Sequence, residues 1–266
     1  MPENSDSFLT RDFPEVLRKI RERTPARIFQ GRAGAAYRTR AQLELREAHA
    51  AARDAVQAEF ALGTAFDPEF VNRWNLFAVS TQARSKDEFL LRPDLGRRFS
   101  EDAKQEISKR CSRGCDFQVA IGDGLSVCAI SAQTPALLPL LFEGVGKRKW
   151  TIGQTFAIRH CRVGVLNEIG ELLAPKVAVL LIGERPGLAT AESLSAYMAY
   201  RPGADHTDAN RNLISNIHLR GVSPQEAAQR IFNLAEQMIA RGISGVEVKE
   251  KLTQSRKFPS FMEQKS

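Results

Sequence analysis

In the second half of the chain, short apolar runs alternate with longer segments whose apolar residues have helical spacing. The runs Phe117–Ile121 and Val177–Ile182 are rich in branched residues and end in polar turns, which is typical of strands buried on both faces. Thr155–Val165 and Ser195–Tyr200 are further strand candidates. The alternation continues over roughly 140 residues, and it predicts an α/β fold with an open, mostly parallel sheet.

Residues typical of helix N-termini mark the starts of several predicted helices. Pro14 suits the first position of a short helix, and Thr39 with Gln42 forms a capping-box pattern that opens an Ala-rich helix reaching to about Phe60. Ser223 has the pattern of an N-cap, because Pro and Glu follow it at the first and third helical positions. A short helix is also expected over Asn167–Leu173.

Other segments lack such signals. Residues 125–142 contain two prolines, which predict a helix entered at Pro135 or an interrupted one. We predict an interruption of regular secondary structure from Gly63 to Pro68. We predict a long polar loop over the strand ends at Asp205–His218. We therefore predict an N-terminal helical region over residues 1–100, a sheet domain over 101–248 and a polar tail over 249–266.

Composition and charge restrict the class of protein. The 38 Lys and Arg residues exceed the 31 Asp and Glu residues, which gives a net charge of +7 and favours an acidic partner such as a phosphate, a nucleic acid or a complementary subunit. The cationic residues are dispersed along the chain, which argues against nucleic-acid binding. The first residues do not form a signal peptide, no apolar run reaches about 18 residues, and four cysteines do not form a disulfide framework. We expect a cytoplasmic protein with reduced thiols.

Two strand ends are the places where chemistry is expected. The loop Gly122–Ser126 follows the first apolar strand, and its glycines allow close backbone approach to a ligand. It is neither a dinucleotide-binding fingerprint, because Val127 breaks the spacing, nor a nucleophile elbow, because Cys128 stands where glycine is needed. Asp123 in this loop is either a cap of the next helix or a catalytic acid.

Glu184 ends the second apolar strand. A carboxylate there can accept hydrogen bonds from ligand amides or hydroxyls, and the alternative is an internal ion pair with Arg185 or another cation. Glu168 and Glu171 share a helix face, but they are more simply favourable charges near a helix start. The spacing of the cysteines and histidines predicts no metal site, and we identify no catalytic residue.

Several distinctive segments, in order along the chain, resemble the small subunit of ethanolamine ammonia-lyase. They are GRAG, LRPDLGRR, DGLS, CRVGVLNEIGELL, IGERPGL followed by ESLSAY, and RNLISNIH. The resemblance runs from about Val16 to the last helix. It implies a Rossmann-like domain behind an N-terminal helical region that contacts the partner subunit.

The resemblance also implies a function. Members of this family hold adenosylcobalamin against a large TIM-barrel subunit that binds substrate, and the complex converts ethanolamine to acetaldehyde and ammonia. The family's cofactor contacts correspond to Val163, Glu184 and Leu213 in this chain. Cysteine is common in the family at the position of Leu213, so this chain departs from the family there, and a contact made through the backbone would survive the change.

The resemblance implies a non-catalytic, cofactor-holding subunit of a heteromeric lyase, in the cytoplasm or packaged in a bacterial microcompartment. The competing interpretation is a free-standing α/β enzyme that binds a nucleotide at the same loops. The absent phosphate fingerprint argues against it. We expect neither a nucleic acid nor a membrane as a partner.

Overall fold

A six-stranded sheet forms the centre of the computed structural model, which describes residues 14–24 and 26–250. The strand order is β3-β5-β4-β6-β7-β8, and a separate two-stranded hairpin, β1-β2, lies near the N-terminus. β3, β5, β4 and β6 run parallel, β7 pairs antiparallel with β6, and β8 pairs antiparallel with β7. The strands are β1 (Arg32–Ala33), β2 (Ala36–Tyr37), β3 (Ala78–Ser80), β4 (Phe117–Gly122), β5 (Phe156–Arg159), β6 (Val177–Gly183), β7 (Leu194–Tyr200) and β8 (Asn212–Ile217). The mostly parallel α/β sheet is therefore confirmed, with β7 as the one reversed strand of the six.

Helices cover both faces of this sheet. They are α1 (Pro14–Arg23), α2 (Thr39–Gln57), α3 (Leu62–Ala65), α4 (Pro68–Arg73), α5 (Lys86–Leu91), α6 (Glu101–Arg110), α7 (Val127–Lys147), α8 (Val165–Leu173) and α9 (Pro224–Arg241). One hydrophobic core joins α7 and α9 to one face, and a second joins α6 and α8 to the other. Because both faces are covered, every residue of β4 and of β6 is buried.

The two prolines in α7 do not interrupt it. The helix runs without a break from Val127 to Lys147 with Pro135 and Pro139 inside, so the expected start or break at Pro135 is wrong. Leu137, Leu138 and Leu141 are fully buried, and this packing offsets the backbone hydrogen bonds that the prolines remove. By length and composition α7 could cross a membrane, but here one side of it, including Ile130, Leu137, Leu138 and Leu141, is buried in the core.

Several other predictions from local sequence were wrong in detail. Thr39 is the first residue of α2 and not its cap, since the helix begins without a side-chain cap. Gly63 lies inside the short helix α3, so the expected break is confined to Phe66 and Asp67. β5 is shorter than the expected strand, because His160 has a left-handed backbone (φ 57°) that ends it.

The polar segment Asp205–His218 contains a strand and is not only a loop. Its residues Asn212–Ile217 form the edge strand β8, where only Ile214 and Ile217 are buried. An edge strand exposes one side to solvent, so its polar composition resembles that of a loop. At the other edge, β3 comes from the region assigned to N-terminal helices, so that region also contributes to the sheet. The proposed boundary at residue 100 stays a prediction.

Candidate functional site

Residues from five strands, or from the loops that follow them, surround one cavity of about 320 Å³, which we call the strand-end cavity. The carboxyl ends of β4, β5 and β6 and residues of β7 and β8 all contribute to it. Its lining residues are Gly124, Leu125, Cys161, Arg162, Val163, Ile182, Gly183, Glu184, Arg185, Ser195, Tyr197, Leu213 and Ser215. In an α/β sheet this is the edge where ligands are usually bound.

Two glycines let the loops after β4 and β6 touch at the floor of the cavity. A Cβ on Gly124 would lie 2.2 Å from the carbonyl oxygen of Gly183, and Gly124 has a positive φ of 56°. A Cβ on Gly183 would lie 2.1 Å from the carbonyl oxygen of Ser126. The amide of Leu125 donates to the Gly183 carbonyl at 3.1 Å. Glycine is therefore required at both positions for this close backbone approach.

Glu184 lies half-buried at the end of β6, and its carboxylate is held by three donors. The hydroxyls of Ser193 and Ser195 donate to Oε2 and Oε1, each at 2.6 Å, and the backbone amide of Asn216 donates to Oε1 at 2.8 Å. No ion pair with Arg185 forms, so the alternative of an internal ion pair with that residue is not observed in the described chain. A carboxylate has about four acceptor positions, which leaves one on Oε2 for a ligand.

The structure brings the three predicted cofactor residues together. Val163 follows β5 and is half-buried, Glu184 ends β6, and Leu213 lies on β8 with 44% of its surface exposed. All three line the strand-end cavity, although fifty positions separate Val163 from Leu213. Their role in binding a cofactor stays a prediction.

Asp123 is neither a cap of α7 nor exposed to a ligand. Ser126 caps α7, and the fully buried Asp123 carboxylate accepts from the backbone amides of His160 and Cys161 at 2.9 and 2.8 Å. Burial raises the pKa of Asp123, which the nearby Lys86 ammonium, 4.0 Å away, opposes. The carboxylate therefore fixes the left-handed turn at His160 and with it the loop that carries Arg162 and Val163.

Four residues of this arrangement were not found from the sequence. Ser193 and Ser195, two residues apart, project from the same side of the chain and hold Glu184. Burial raises the pKa of Tyr197, so its phenol stays protonated and can donate a hydrogen bond to a ligand. Arg162 lies at the rim with its Nε buried and without a hydrogen-bond partner in the described part of the chain. The alternation of serines in Ser193-Leu194-Ser195, at the start of β7, was the one signal that could have found part of this arrangement.

The other candidates from the sequence, Glu168 and the cysteines, show no arrangement for catalysis or metal binding in the described residues. Glu168 is buried, accepts from the backbone amide of Phe99 and lies within 4 Å of Arg98 and Lys104, so it links α8 to the start of α6. All four cysteines are free, and burial raises the pKa of the Cys111 thiol to about 11. Within the described residues, no group of three or more His, Cys, Asp or Glu side chains could hold a metal ion.

Comparison with known proteins identifies the family of the chain. Residues 14–249 match the model of the ethanolamine ammonia-lyase light chain (EutC) family. Relatives named ethanolamine ammonia-lyase small subunit include one from Clostridium perfringens, 39% identical over 88% of this chain and 78% of the relative, and one from Clostridioides difficile, 40% identical over the same shares. A third, from Listeria monocytogenes, is 38% identical over 87% of this chain and 77% of the relative. The chain belongs to the ethanolamine ammonia-lyase light chain family.

Proposed function

We propose that this chain is the small subunit of an adenosylcobalamin-dependent ethanolamine ammonia-lyase and that its strand-end cavity holds part of the corrinoid. The observation that supports this most directly is the convergence of Val163, Glu184 and Leu213 on one cavity. The substrate is ethanolamine, and the products are acetaldehyde and ammonia. A large subunit with a TIM-barrel fold would bind the substrate opposite this edge of the sheet.

The residues present suit a corrinoid. A corrin ring carries amide side arms around a broad apolar surface, so its binding site needs acceptors, donors and aliphatic contacts. Glu184 has an acceptor position left on Oε2, and the phenol of Tyr197 is a neutral donor. Leu125, Val163 and Leu213 supply aliphatic surface beside them. A cavity of about 320 Å³ accommodates only part of so large a ligand, which fits a site completed by another subunit.

The chain's own residues bind and orient in this proposal, and none transfers a proton. When bound, adenosylcobalamin supplies a carbon-centred radical by homolysis of its cobalt–carbon bond. Glu184 is fixed by Ser193, Ser195 and Asn216, so it would orient an amide arm with little loss of side-chain freedom on binding. Asp123 would act indirectly, by fixing the loop that presents Val163.

Co-expression with a candidate large subunit tests the proposal. We expect the two chains to co-purify, to change the absorption spectrum of added cobalamin, and to produce acetaldehyde only when ethanolamine, adenosylcobalamin and both chains are present. Omitting this chain is the control. A chain that stays monomeric beside that partner and leaves the corrinoid spectrum unchanged would refute the proposal and favour the free-standing nucleotide-binding enzyme.

A further inference from the structure

A second cavity of about 320 Å³ adjoins the strand-end cavity, and we call it the arginine cavity. It lies between α2, the end of α5 and the loops after β4, β5 and β6. Its lining residues are His49, Ala52, Arg53, Val56, Leu90, Leu125, Arg162, Arg185 and Pro186. Leu125, Arg162 and Arg185 line both cavities, so the two are continuous. Three arginines and a histidine thus face this space, and no carboxylate is among its lining residues.

The arginines of this cavity have no anionic partner among the residues that the structure describes. Arg53, Arg162 and Arg185 form no ion pair and no side-chain hydrogen bond there. The buried carboxylate of Asp123 acts on Arg162 electrostatically, but it forms no ion pair with it and already accepts two backbone amides. Arg162 is partly buried, and the pKa of its guanidinium is lowered by that burial and by the like charges of Arg185 and Arg97. Cations held near one another in this way are stabilised by a bound anion.

The fold holds Arg162 in place. Its guanidinium stacks over the ring of Phe89, with the central carbon 4.3 Å from the ring centroid. Its backbone amide donates to the carbonyl of Gly96 at 2.8 Å, and a Cβ on Gly96 would lie 2.8 Å from Cγ of Arg162. Its Nε is buried and lacks a hydrogen-bond partner within the described chain. A preorganised guanidinium with an unused donor is a typical feature of a phosphate site.

We propose that the arginine cavity binds a phosphate ester, namely that of the ligand whose amide-bearing part lies in the adjacent strand-end cavity. The inference rests on the proposed function, because cobalamin carries amide arms on its ring and a single phosphodiester in its nucleotide tail. Arg162 and Arg185 would donate to the phosphate oxygens, and Arg53 would add a positive charge from α2. Free inorganic phosphate is the other source of the same chemistry.

The test compares ligands that differ in the phosphate. Cobinamide has the amide-bearing ring without the phosphate and nucleotide tail, cobinamide phosphate restores the phosphate, and cobalamin carries the whole tail. Their dissociation constants are measured by absorption titration of the co-purified two-subunit complex. The variants are Arg162→Gln and the exposed Arg185→Gln, which keeps the test valid if the former does not fold. Arg201→Gln is the matched control, because this exposed arginine follows β7 at the opposite edge of the sheet.

We expect Arg162→Gln and Arg185→Gln each to weaken cobalamin and cobinamide phosphate binding about tenfold, since a hydrogen bond to a charged group contributes this much. The dissociation constant for cobinamide should change less than twofold, and Arg201→Gln should leave the dissociation constants of all three ligands unchanged. Equal losses for cobinamide, or no loss for any ligand, would overturn the inference, as would loss of the large subunit from the variants.

Inorganic phosphate separates the two sources. If inorganic phosphate competes with cobalamin but not with cobinamide, the result supports the inference. Phosphate binding that leaves cobalamin affinity unchanged would identify free phosphate as the occupant and overturn the assignment to the corrinoid. A wild-type complex that binds neither cobinamide nor cobalamin would refute the proposed function itself, which is a different result from any of these.

Discussion

Replacing Glu184 by glutamine separates its internal hydrogen bonds from its expected role in ligand binding. The glutamine oxygen can replace Oε1 and keep the bonds from Ser195 and the Asn216 amide. The new amide nitrogen replaces Oε2 and can donate to Ser193, whose hydroxyl can rotate to accept. The position on Oε2 that remained for a ligand amide is then lost. We therefore expect the free energy of unfolding to change by less than about 1 kcal/mol.

Binding should respond much more strongly to this substitution. A hydrogen bond to a charged acceptor contributes about 1.5–3 kcal/mol, so the dissociation constant for cobalamin should rise roughly tenfold to a hundredfold. The assay is absorption titration of the co-purified complex, with urea unfolding measured on the same preparations. Glu192→Gln is the control, since Glu192 is exposed and does not line the strand-end cavity.

The outcome for Glu184→Ala adds a second comparison. It removes all three internal bonds, so we expect a loss of about 3 kcal/mol in stability together with weaker binding. If Glu184→Gln binds cobalamin as tightly as the unchanged complex does, Glu184 only joins β6 to β7 and β8, and the reasoning about the free position on Oε2 is wrong.

Three further substitutions test the scaffold of the sheet by urea or acid unfolding. Gly183→Ala should destabilise the fold by at least about 2 kcal/mol, because its Cβ would lie 2.1 Å from the Ser126 carbonyl oxygen. Asp123→Asn should cost about 3 kcal/mol, since it removes the buried charge that faces Lys86 and holds two amides. A hydrogen bond from Lys176 lowers the pKa of Asp116 to about 2. Stability from Asp116 is thus present above about pH 4 and is lost as the pH falls towards 2, and Asp116→Asn should remove this pH-dependent contribution of about 1 kcal/mol.

The central strands and their ligand edge could be predicted from sequence because they are buried on both faces. β4 and β6 are apolar runs for that reason, and their polar turns at Asp123 and Glu184 mark where they end. The N-cap signal of α9 was equally local, since Ser223 accepts from the Glu226 amide. Signals of this kind depend on residues that are close together in the sequence, so they can be identified before the fold is known.

Features that depend on tertiary contacts were not predictable in the same way. Pro135 is tolerated in α7 because of packing between the sheet and α9, and β8 looks polar because it lies at an edge. Asp123 resembled a helix cap, but its partners, the amides of His160 and Cys161, lie more than thirty residues away. The arginine cavity likewise unites positions from distant parts of the chain, and only the folded structure shows that no carboxylate lies among its lining residues.

The reversed direction of β7 has a consequence for how this site can vary. A long hairpin connection over residues 185–192 joins β6 to β7 at the ligand edge. Beneath it the Glu184 amide donates to the Ser193 carbonyl, and seven paired positions fix the register of the two strands. Insertions or deletions in such a turn leave the strand pairing intact, since the turn lies outside the sheet. The carbonyl of Leu188 in this turn accepts from Arg27 at 2.7 Å, which ties it to the N-terminal region. Changes in turn length could therefore reshape the rim of the cavity without altering the strands that carry Glu184 and Ser195.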